Sequence, residues 1–114
     1  MEEWFLRDDD EISYVVILVT VSGSEEGLAI ARALVQEGMA ACVNVVDKVR
    51  SIFKWKGKVE EEAESLLVIK TRVDRLFELT QRVKELHSYD VPEIIALPII
   101  SGNPAYLQWI DEVT

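Results

Sequence analysis

The spacing of apolar residues changes along the chain, and each change predicts a new element of secondary structure. The unbroken, β-branched run Tyr14–Val21 is typical of a strand that is buried on both faces. Apolar residues then recur at helical spacing between positions 28 and 35, after the capping sequence Ser22-Gly-Ser-Glu25. Gly38 follows where a helix end favours a positive φ angle. These patterns predict one buried strand and one amphipathic helix.

Two further strands, joined by a tight turn, are predicted in the middle of the chain. The first covers residues 40–55, the turn is Lys56-Gly57-Lys58, and the return strand covers residues 59–71. A three-residue loop places basic residues opposite glutamates, whereas a two-residue loop places Phe53 opposite Glu60. We expect the three-residue loop, with the pairs Trp55–Val59, Lys54–Glu60 and Arg50–Glu64.

The last third of the chain predicts a helix, a strand and a final helix. Apolar spacing indicates a helix over 74–86, which the segment 87–92 ends, and a fourth strand over 93–100. Because Pro98 cannot donate a backbone hydrogen bond, this strand should lie at a sheet edge or carry a bulge. Asn103 and Pro104 are typical of a helix N-terminus. The final helix is expected to bury Tyr106, Ile110 and Val113.

The order β-α-β-β-α-β with an extra C-terminal helix predicts an α+β fold, the ferredoxin-like split βαβ arrangement in two layers. Right-handed crossovers place both main helices on one face of the sheet. The strands are nevertheless apolar on both faces, so we expect further copies of the chain to cover the second face. Residues 14–114 are assigned to this single domain, and residues 1–13 to an acidic, flexible N-terminal extension.

Charge and length exclude several classes of protein. The 114 residues include 12 basic and 21 acidic side chains, a net charge of −9, of which the extension 1–13 carries −5. This balance argues against nucleic-acid binding and against association with an anionic membrane. The apolar runs are too short to span a bilayer. A basic stripe at 48–58 is expected to be neutralised by the glutamates at 60–64.

A single cysteine and a single histidine limit the chemistry further. They exclude an intrachain disulfide, a Cys-x-x-Cys motif and a cysteine–histidine zinc site within one chain. A reducing compartment, the cytoplasm, is therefore expected. The sequence also lacks glycine-rich phosphate loops and the motifs Gly-x-Ser-x-Gly and His-Glu-x-x-His, so it predicts no enzymatic activity.

Five short motifs stand in an order seen in one protein family. They are Ala41-Cys42-Val43-Asn44, Ser51-x-Phe53-x-Trp55-x-Gly57, Leu67-x-Ile69-Lys70-Thr71, His87-x-Tyr89-x-x-Pro92-Glu93 and Gly102-x-x-x-Tyr106-Leu107-x-Trp109. From Tyr14 onward the chain resembles CutA, the divalent-cation-tolerance family. The resemblance implies a ferredoxin-like subunit in a tight homotrimer, similar to PII-type signalling proteins. It also implies a cytoplasmic location in bacteria and a link to tolerance of copper and other divalent metals, without a settled catalytic activity.

The same resemblance bears on metal binding. In some relatives, copper ligation is associated with a cysteine late in the first strand and a His-His pair at the end of the second helix. The matching positions here are Val19, Leu86 and His87, so only the second histidine of the pair is retained. We predict weak contact with Cu²⁺ or Zn²⁺ at His87, with Glu93 as its carboxylate partner. The alternative is a purely structural role, in which His87 stabilises the C-terminus of the second helix because an imidazolium complements the helix dipole.

A second predicted site is a cleft between subunits, similar to the place where PII-type trimers hold ligands. Lys70, Tyr89 and Trp55 are the residues expected there. The leading function is a CutA-like trimer in the response to divalent metal ions. The alternatives are a PII-like regulator, which binds a small anionic ligand and signals to partner proteins, and a structural trimer on which other proteins dock.

Overall fold

The computed structural model describes residues 12–114, and its elements follow the predicted order. They are β1 (Tyr14–Val21), α1 (Ser24–Gln36), β2 (Cys42–Trp55), β3 (Lys58–Arg72), a 3₁₀ turn (Val73–Arg75), α2 (Leu76–Leu86), β4 (Ile94–Pro98) and α3 (Pro104–Val113). Gly38 has the predicted positive φ angle, 74°. Asn103 caps α3, because its side chain accepts a hydrogen bond from the Ala105 N–H at 3.1 Å. The predicted acidic extension lies outside the described residues except for positions 12 and 13.

The four strands form one sheet in the order β2-β3-β1-β4, and every neighbouring pair is antiparallel. This is the split βαβ order, because the two strands that each of α1 and α2 connects are separated by a third strand. The strand β4 lies at an edge of the sheet, which confirms the expectation from Pro98.

One face of the sheet and two helices enclose the core. Alternate residues of β1 are buried and pack with Ile30 and Leu34 of α1 and with Leu79 and Val83 of α2. Each fully buried side chain of this kind contributes roughly 1.5–3 kcal/mol. Both helices therefore cover the same face of the sheet, as predicted. No helix within residues 12–114 is long and apolar enough to span a membrane.

The opposite face, which we call the open sheet face, is covered by α3 at one end, where the Tyr14 hydroxyl donates to Asp111 at 2.6 Å. At the edge formed by β1 and β4, this face presents apolar side chains. The β4 residues Ile95 and Leu97 pair with Leu18 and Val16 of β1, and they are 48% and 49% exposed. An apolar second face is thus present, as the sequence predicted.

The buried side of α3 is narrower than predicted. Ile110 is fully buried, but Tyr106 and Val113 are each 41% exposed. The expectation that all three are buried is therefore wrong for this chain taken alone. The apolar side of α3 is wider than the part of it that contacts the sheet. Tyr106 and Val113 therefore remain partly exposed to solvent beside Ile110.

Two arginines between β3 and α2 hold the C-terminal end of α3. Arg72, the last residue of β3, donates from Nη2 to the backbone oxygen of Thr114 at 2.9 Å. Arg75, in the 3₁₀ turn, donates from Nε to the same oxygen at 3.0 Å. Two charged donors thus satisfy a helix end, where carbonyl groups have no partner within the helix. We call this arrangement the arginine clamp.

The predicted register of the β2–β3 hairpin is wrong by one residue. The structure has a two-residue loop and the pairs Phe53–Glu60, Lys54–Val59 and Trp55–Lys58. The loop residues Lys56 and Gly57 have φ angles of 51° and 81°, and a type I′ turn needs positive φ at both positions. The twist of this turn matches the twist of the strands. Turn geometry therefore outweighs the charge pairs, each worth only about 0.2–1 kcal/mol.

This shift of one residue changes which β2 side chains share a face with the glutamates of β3, because successive side chains point to opposite faces of a strand. Three carboxylates, which we call the acidic ladder, lie on one face: Glu60, Glu62 and Glu64. Lys54 and Arg50 lie on the other face, opposite Val59 and Ala63. The predicted neutralisation through Lys54–Glu60 and Arg50–Glu64 is therefore wrong. Arg50 reaches Glu61 instead, at 3.4 Å, and this exposed ion pair contributes little stability.

Candidate functional site

A cleft of about 1060 Å³ lies between the β2–β3 hairpin and the loop that joins α2 to β4. Trp55 and Tyr89, two of the three residues predicted for a cleft, both line it, and so does Glu93. Lys70 does not; its ammonium group donates to the side-chain oxygen of Asn44. The hairpin and loop motifs thus meet in the folded chain, whereas the participation of a second subunit stays a prediction.

The cleft is strongly acidic. The acidic ladder contributes three carboxylates, and Asp90 and Glu93 contribute two more. None of the described residues that line the cleft is lysine or arginine. Phe53 and Trp55 form an apolar wall and are 41% and 54% exposed. A concave surface with this composition attracts cationic groups and repels anions.

One carboxylate of the ladder is buried. Glu64 is only 8% exposed, and its Oε2 accepts a hydrogen bond from the Tyr89 hydroxyl at 2.7 Å. Burial, and after it this hydrogen bond, raises the pKa of Tyr89 above its usual value of 10.0. The hydroxyl therefore remains a donor at neutral pH. The Tyr89 hydroxyl occupies Glu64, so Glu60 and Glu62 are the accessible carboxylates of the ladder.

A further carboxylate, Glu26 of α1, holds the loop that carries Tyr89. Its Oε2 accepts from the Ser88 backbone N–H at 2.7 Å, and its Oε1 accepts from the Ser22 hydroxyl at 2.8 Å. The Ser88 hydroxyl and the Ser22 backbone N–H donate to Oε1 as well, each at 3.1 Å. Burial opposes ionisation, but these four hydrogen bonds outweigh it and lower the pKa of Glu26 from 4.5 to about 2. Sequence spacing predicted Glu25 for capping; Ser22 pairs with Glu26 instead.

His87 follows the last residue of α2, and both of its ring nitrogens have protein partners. The side chain is fully buried; Nε2–H donates to the Thr20 carbonyl at 2.8 Å, and Nδ1 accepts from the Tyr89 backbone N–H at 3.1 Å. The His87 and Tyr89 rings also pack together, with centroids 4.7 Å apart. These contacts fix the start of the loop that lines the cleft.

The residues predicted to hold a metal ion do not present a ready site in this conformation. Neither nitrogen of His87 has a free lone pair, and His87 does not line the cleft that contains Glu93. In the described part of the chain, no three His, Cys, Asp or Glu side chains lie close enough together to hold a metal ion. Metal contact at His87 and Glu93 stays a prediction, and it requires the hydrogen bond from Tyr89 to be released.

Sequence reasoning missed two groups that organise this region, Glu26 and Glu64. The signal for Glu64 was the period-two spacing of the ladder, but the predicted register paired Glu64 with Arg50, whereas the structure pairs it with Val49. The signal for Glu26 was weaker. It stands four residues after Ser22, and only the folded chain brings Ser88 to it.

The fold and the site together define a class: a small α+β protein with a split βαβ sheet, a long charged hairpin and an acidic cleft at its base. The family model described as CutA1 divalent ion tolerance protein matches residues 15–113. The chain belongs to this family, and the resemblance drawn from the five motifs is confirmed.

Individual relatives agree with this assignment. The divalent-cation tolerance protein CutA of Thermus thermophilus is 50% identical over 99 residues, which cover 87% of this chain and 96% of that protein. The chloroplastic CutA protein of Arabidopsis thaliana is 48% identical over 100 residues, 88% of this chain and 55% of that protein. The chain therefore spans little more than half the length of the plant relatives.

Solved structures of relatives have the same fold. The crystal structure of CutA1 from Oryza sativa superposes with a TM-score of 0.88 at 48% identity, covering 90% of this chain and 94% of that one. The periplasmic divalent cation tolerance protein CutA from Archaeoglobus fulgidus gives a TM-score of 0.85 at 39% identity, covering 88% and 97% of the two chains. The names of these relatives place them in different compartments.

Proposed function

We propose that this protein acts in tolerance of divalent metal ions as a homotrimer without catalytic activity. Membership of the CutA1 family supports the role, and the open sheet face supports the assembly. The observation that carries the proposal is the row of apolar side chains there, with Ile95 and Leu97 about half exposed. Burial of such a row in an interface between copies stabilises an oligomer by roughly 25 cal/mol for each Å² of apolar surface.

Sedimentation equilibrium tests the assembly. We expect a mass of about 39 kDa at micromolar concentration, three times the chain mass of 13.0 kDa. Replacing Leu97 by glutamate should lower the mass towards that of one chain, because a charge buried in an interface is costly. Phe77→Glu is the matched control: Phe77 is 76% exposed but lies on α2, away from the open sheet face. A mass of 13 kDa or 26 kDa for the natural chain would contradict the trimer.

Metal contact at His87 and Glu93 is proposed as a weak interaction with Cu²⁺ or Zn²⁺. A cation at Nδ1 must displace the hydrogen bond from Tyr89, and this cost lowers the apparent affinity. Calorimetric titration of each metal should give weak binding that His87→Gln and Glu93→Gln both reduce. Glu78→Gln, a change to an exposed carboxylate on α2, should leave the affinity as it is. Equal affinity in the natural chain and in His87→Gln would rule out His87 as a ligand.

A cytoplasmic location is proposed on the single cysteine, which suits a reducing compartment. The PII-like alternative, a small anionic ligand at subunit clefts, gains no support from the cleft in this chain. Five carboxylates line that cleft without a lysine or arginine among its described lining residues, and such a field repels anions.

A further inference from the structure

One aromatic side chain of α2 points away from the core. Leu79 and Val83 form the buried side of this helix, and Phe77 stands two positions before Leu79. Two positions correspond to a rotation of about 200° around the helix axis, so Phe77 lies on the opposite side. It is 76% exposed, and Val73, four residues earlier, is exposed as well. We call Val73 and Phe77 the helix patch.

The helix patch is separate from the surface assigned to the interface between copies. The helix α2 packs with α1 against one face of the sheet, and the open sheet face is the other one. Neither Val73 nor Phe77 lines the acidic cleft. The metal role and the trimer therefore leave the outer surface of α2 unused.

The backbone leads the N-terminal segment to this patch. The Ser13 carbonyl accepts a hydrogen bond from the Val73 N–H at 2.8 Å. Phe77 follows Val73 by four residues, a rise of roughly 6–8 Å along a helix. Residues 1–11 lie outside the described residues, and they join the described chain at the end of α2 that carries the helix patch.

This segment contains an apolar cluster that neither the metal role nor the trimer uses. Trp4-Phe5-Leu6, which we call the apolar triplet, is separated from Ile12 by Arg7 and the acidic run 8–11. An extended chain from Leu6 to Ser13 spans up to roughly 24 Å. This reach exceeds the rise from Val73 to Phe77 several-fold. The acidic run can therefore loop through solvent while the triplet returns to the helix.

The tether also decides which occupant the helix patch favours. Aromatic side chains attract one another in offset or edge-to-face arrangements, but one such contact is too weak to hold two separate proteins together. A short flexible linker gives the attached segment an effective concentration in the millimolar range. The chain's own triplet therefore competes favourably with a free partner of the same chemistry.

We propose that the apolar triplet docks on the helix patch of its own chain and covers Phe77, while the acidic run 8–11 loops through solvent. Docking buries the apolar part of the N-terminal extension and leaves its charged part hydrated. The contact involves neither His87 nor the open sheet face. It is therefore tested separately from the metal role and from the trimer.

Fluorine NMR of the full chain labelled with 5-fluorotryptophan tests the proposal. The chain has three tryptophans, and Trp4→Phe identifies the resonance of Trp4. We expect a neutral gadolinium chelate in solution to broaden this resonance about twofold more in Phe77→Ser than in the natural chain, because Trp4 is released to solvent. Val91→Ser is the matched control. Val91 is 78% exposed but lies in the loop of the cleft, so this variant should leave the resonance unchanged.

A double-mutant cycle provides a second measurement. Trp4→Ala and Phe77→Ala should each lower the midpoint of chemical denaturation. The double variant should be about as stable as Phe77→Ala alone, since both changes remove the same contact. Additive effects of the two changes would contradict the contact.

Three further results would overturn the proposal. Equal broadening of the Trp4 resonance in Phe77→Ser and in the natural chain would show that the triplet lies elsewhere, and its release in Leu97→Glu alone would place it on the open sheet face. Release of Trp4 on dilution of the natural chain would assign the contact to a second molecule. A fall in sedimentation mass in Phe77→Ser would make the helix patch an interface between copies.

Discussion

Replacing Glu26 by glutamine is expected to destabilise the protein by about 3 kcal/mol at neutral pH, the value that corresponds to lowering the pKa from 4.5 to about 2. Four donors from two loops converge on this carboxylate, and an amide cannot accept them with the same strength. Chemical denaturation of the natural chain and the variant measures the difference. Glu26 matters because it joins Ser22, which follows β1, to Ser88, which lies in the loop between α2 and β4.

The same variant has a pH signature. The folded-state pKa of Glu26 lies below its usual value, so the ionised carboxylate stabilises the fold fully above pH 4.5. This contribution is lost progressively as the pH falls from 4.5 to about 2. Stability measured across that range should therefore fall more steeply for the natural chain than for Glu26→Gln.

Glu25→Gln is the matched control for Glu26. Glu25 lies in the same first turn of α1 with an exposed side chain, so both changes alter the interaction with the helix dipole equally. We expect Glu25→Gln to stay within about 0.5 kcal/mol of the natural chain. Equal effects of the two variants would show that Glu26 acts only through the helix dipole.

Replacing Tyr89 by phenylalanine is expected to cost about 2 kcal/mol, because it leaves the buried carboxylate of Glu64 without its hydroxyl donor. The phenylalanine ring keeps the packing against His87, so the change isolates one hydrogen bond. Thermal or chemical denaturation provides the measurement.

A double-mutant cycle separates this bond from a general effect at Tyr89. When Glu64 is replaced by leucine, the hydroxyl has no buried acceptor, so Tyr89→Phe should then cost much less than in the natural background. Tyr106→Phe removes the hydroxyl of a tyrosine that is 41% exposed, and it should change stability little. Additive effects of Tyr89→Phe and Glu64→Leu would contradict the proposed coupling.

The architecture was predictable because its signals are local and strong. The β-branched run of β1, the helical spacing of α1 and the capping pair Asn103–Pro104 each specify an element without reference to the rest of the chain. The register of the β2–β3 hairpin was predicted wrongly, because the prediction compared charge pairs and overlooked the backbone preference of Lys56-Gly57 for a two-residue turn. That one-residue error placed Lys54 and Arg50 on the face of the acidic ladder, which Phe53 and Trp55 share instead.

The site was predictable in part. Trp55, Tyr89 and Glu93 were selected from motifs, and all three line one cleft. Lys70 was placed there by analogy with related trimers, and its position in β3 directs it to Asn44 instead. The burial of His87 could not be read from the sequence, because its partner Thr20 lies 67 residues earlier in the chain and only folding brings the two together.

Through the arginine clamp, α2 is joined to elements on both sides of the sheet. At its first end, Arg75 grips the terminus of α3, which lies on the open sheet face. At its other end, eleven residues and roughly 16 Å away, His87 anchors the loop that lines the acidic cleft. The one helix therefore has a contact with the C-terminal end of α3 before its first residue and a contact with the cleft loop after its last.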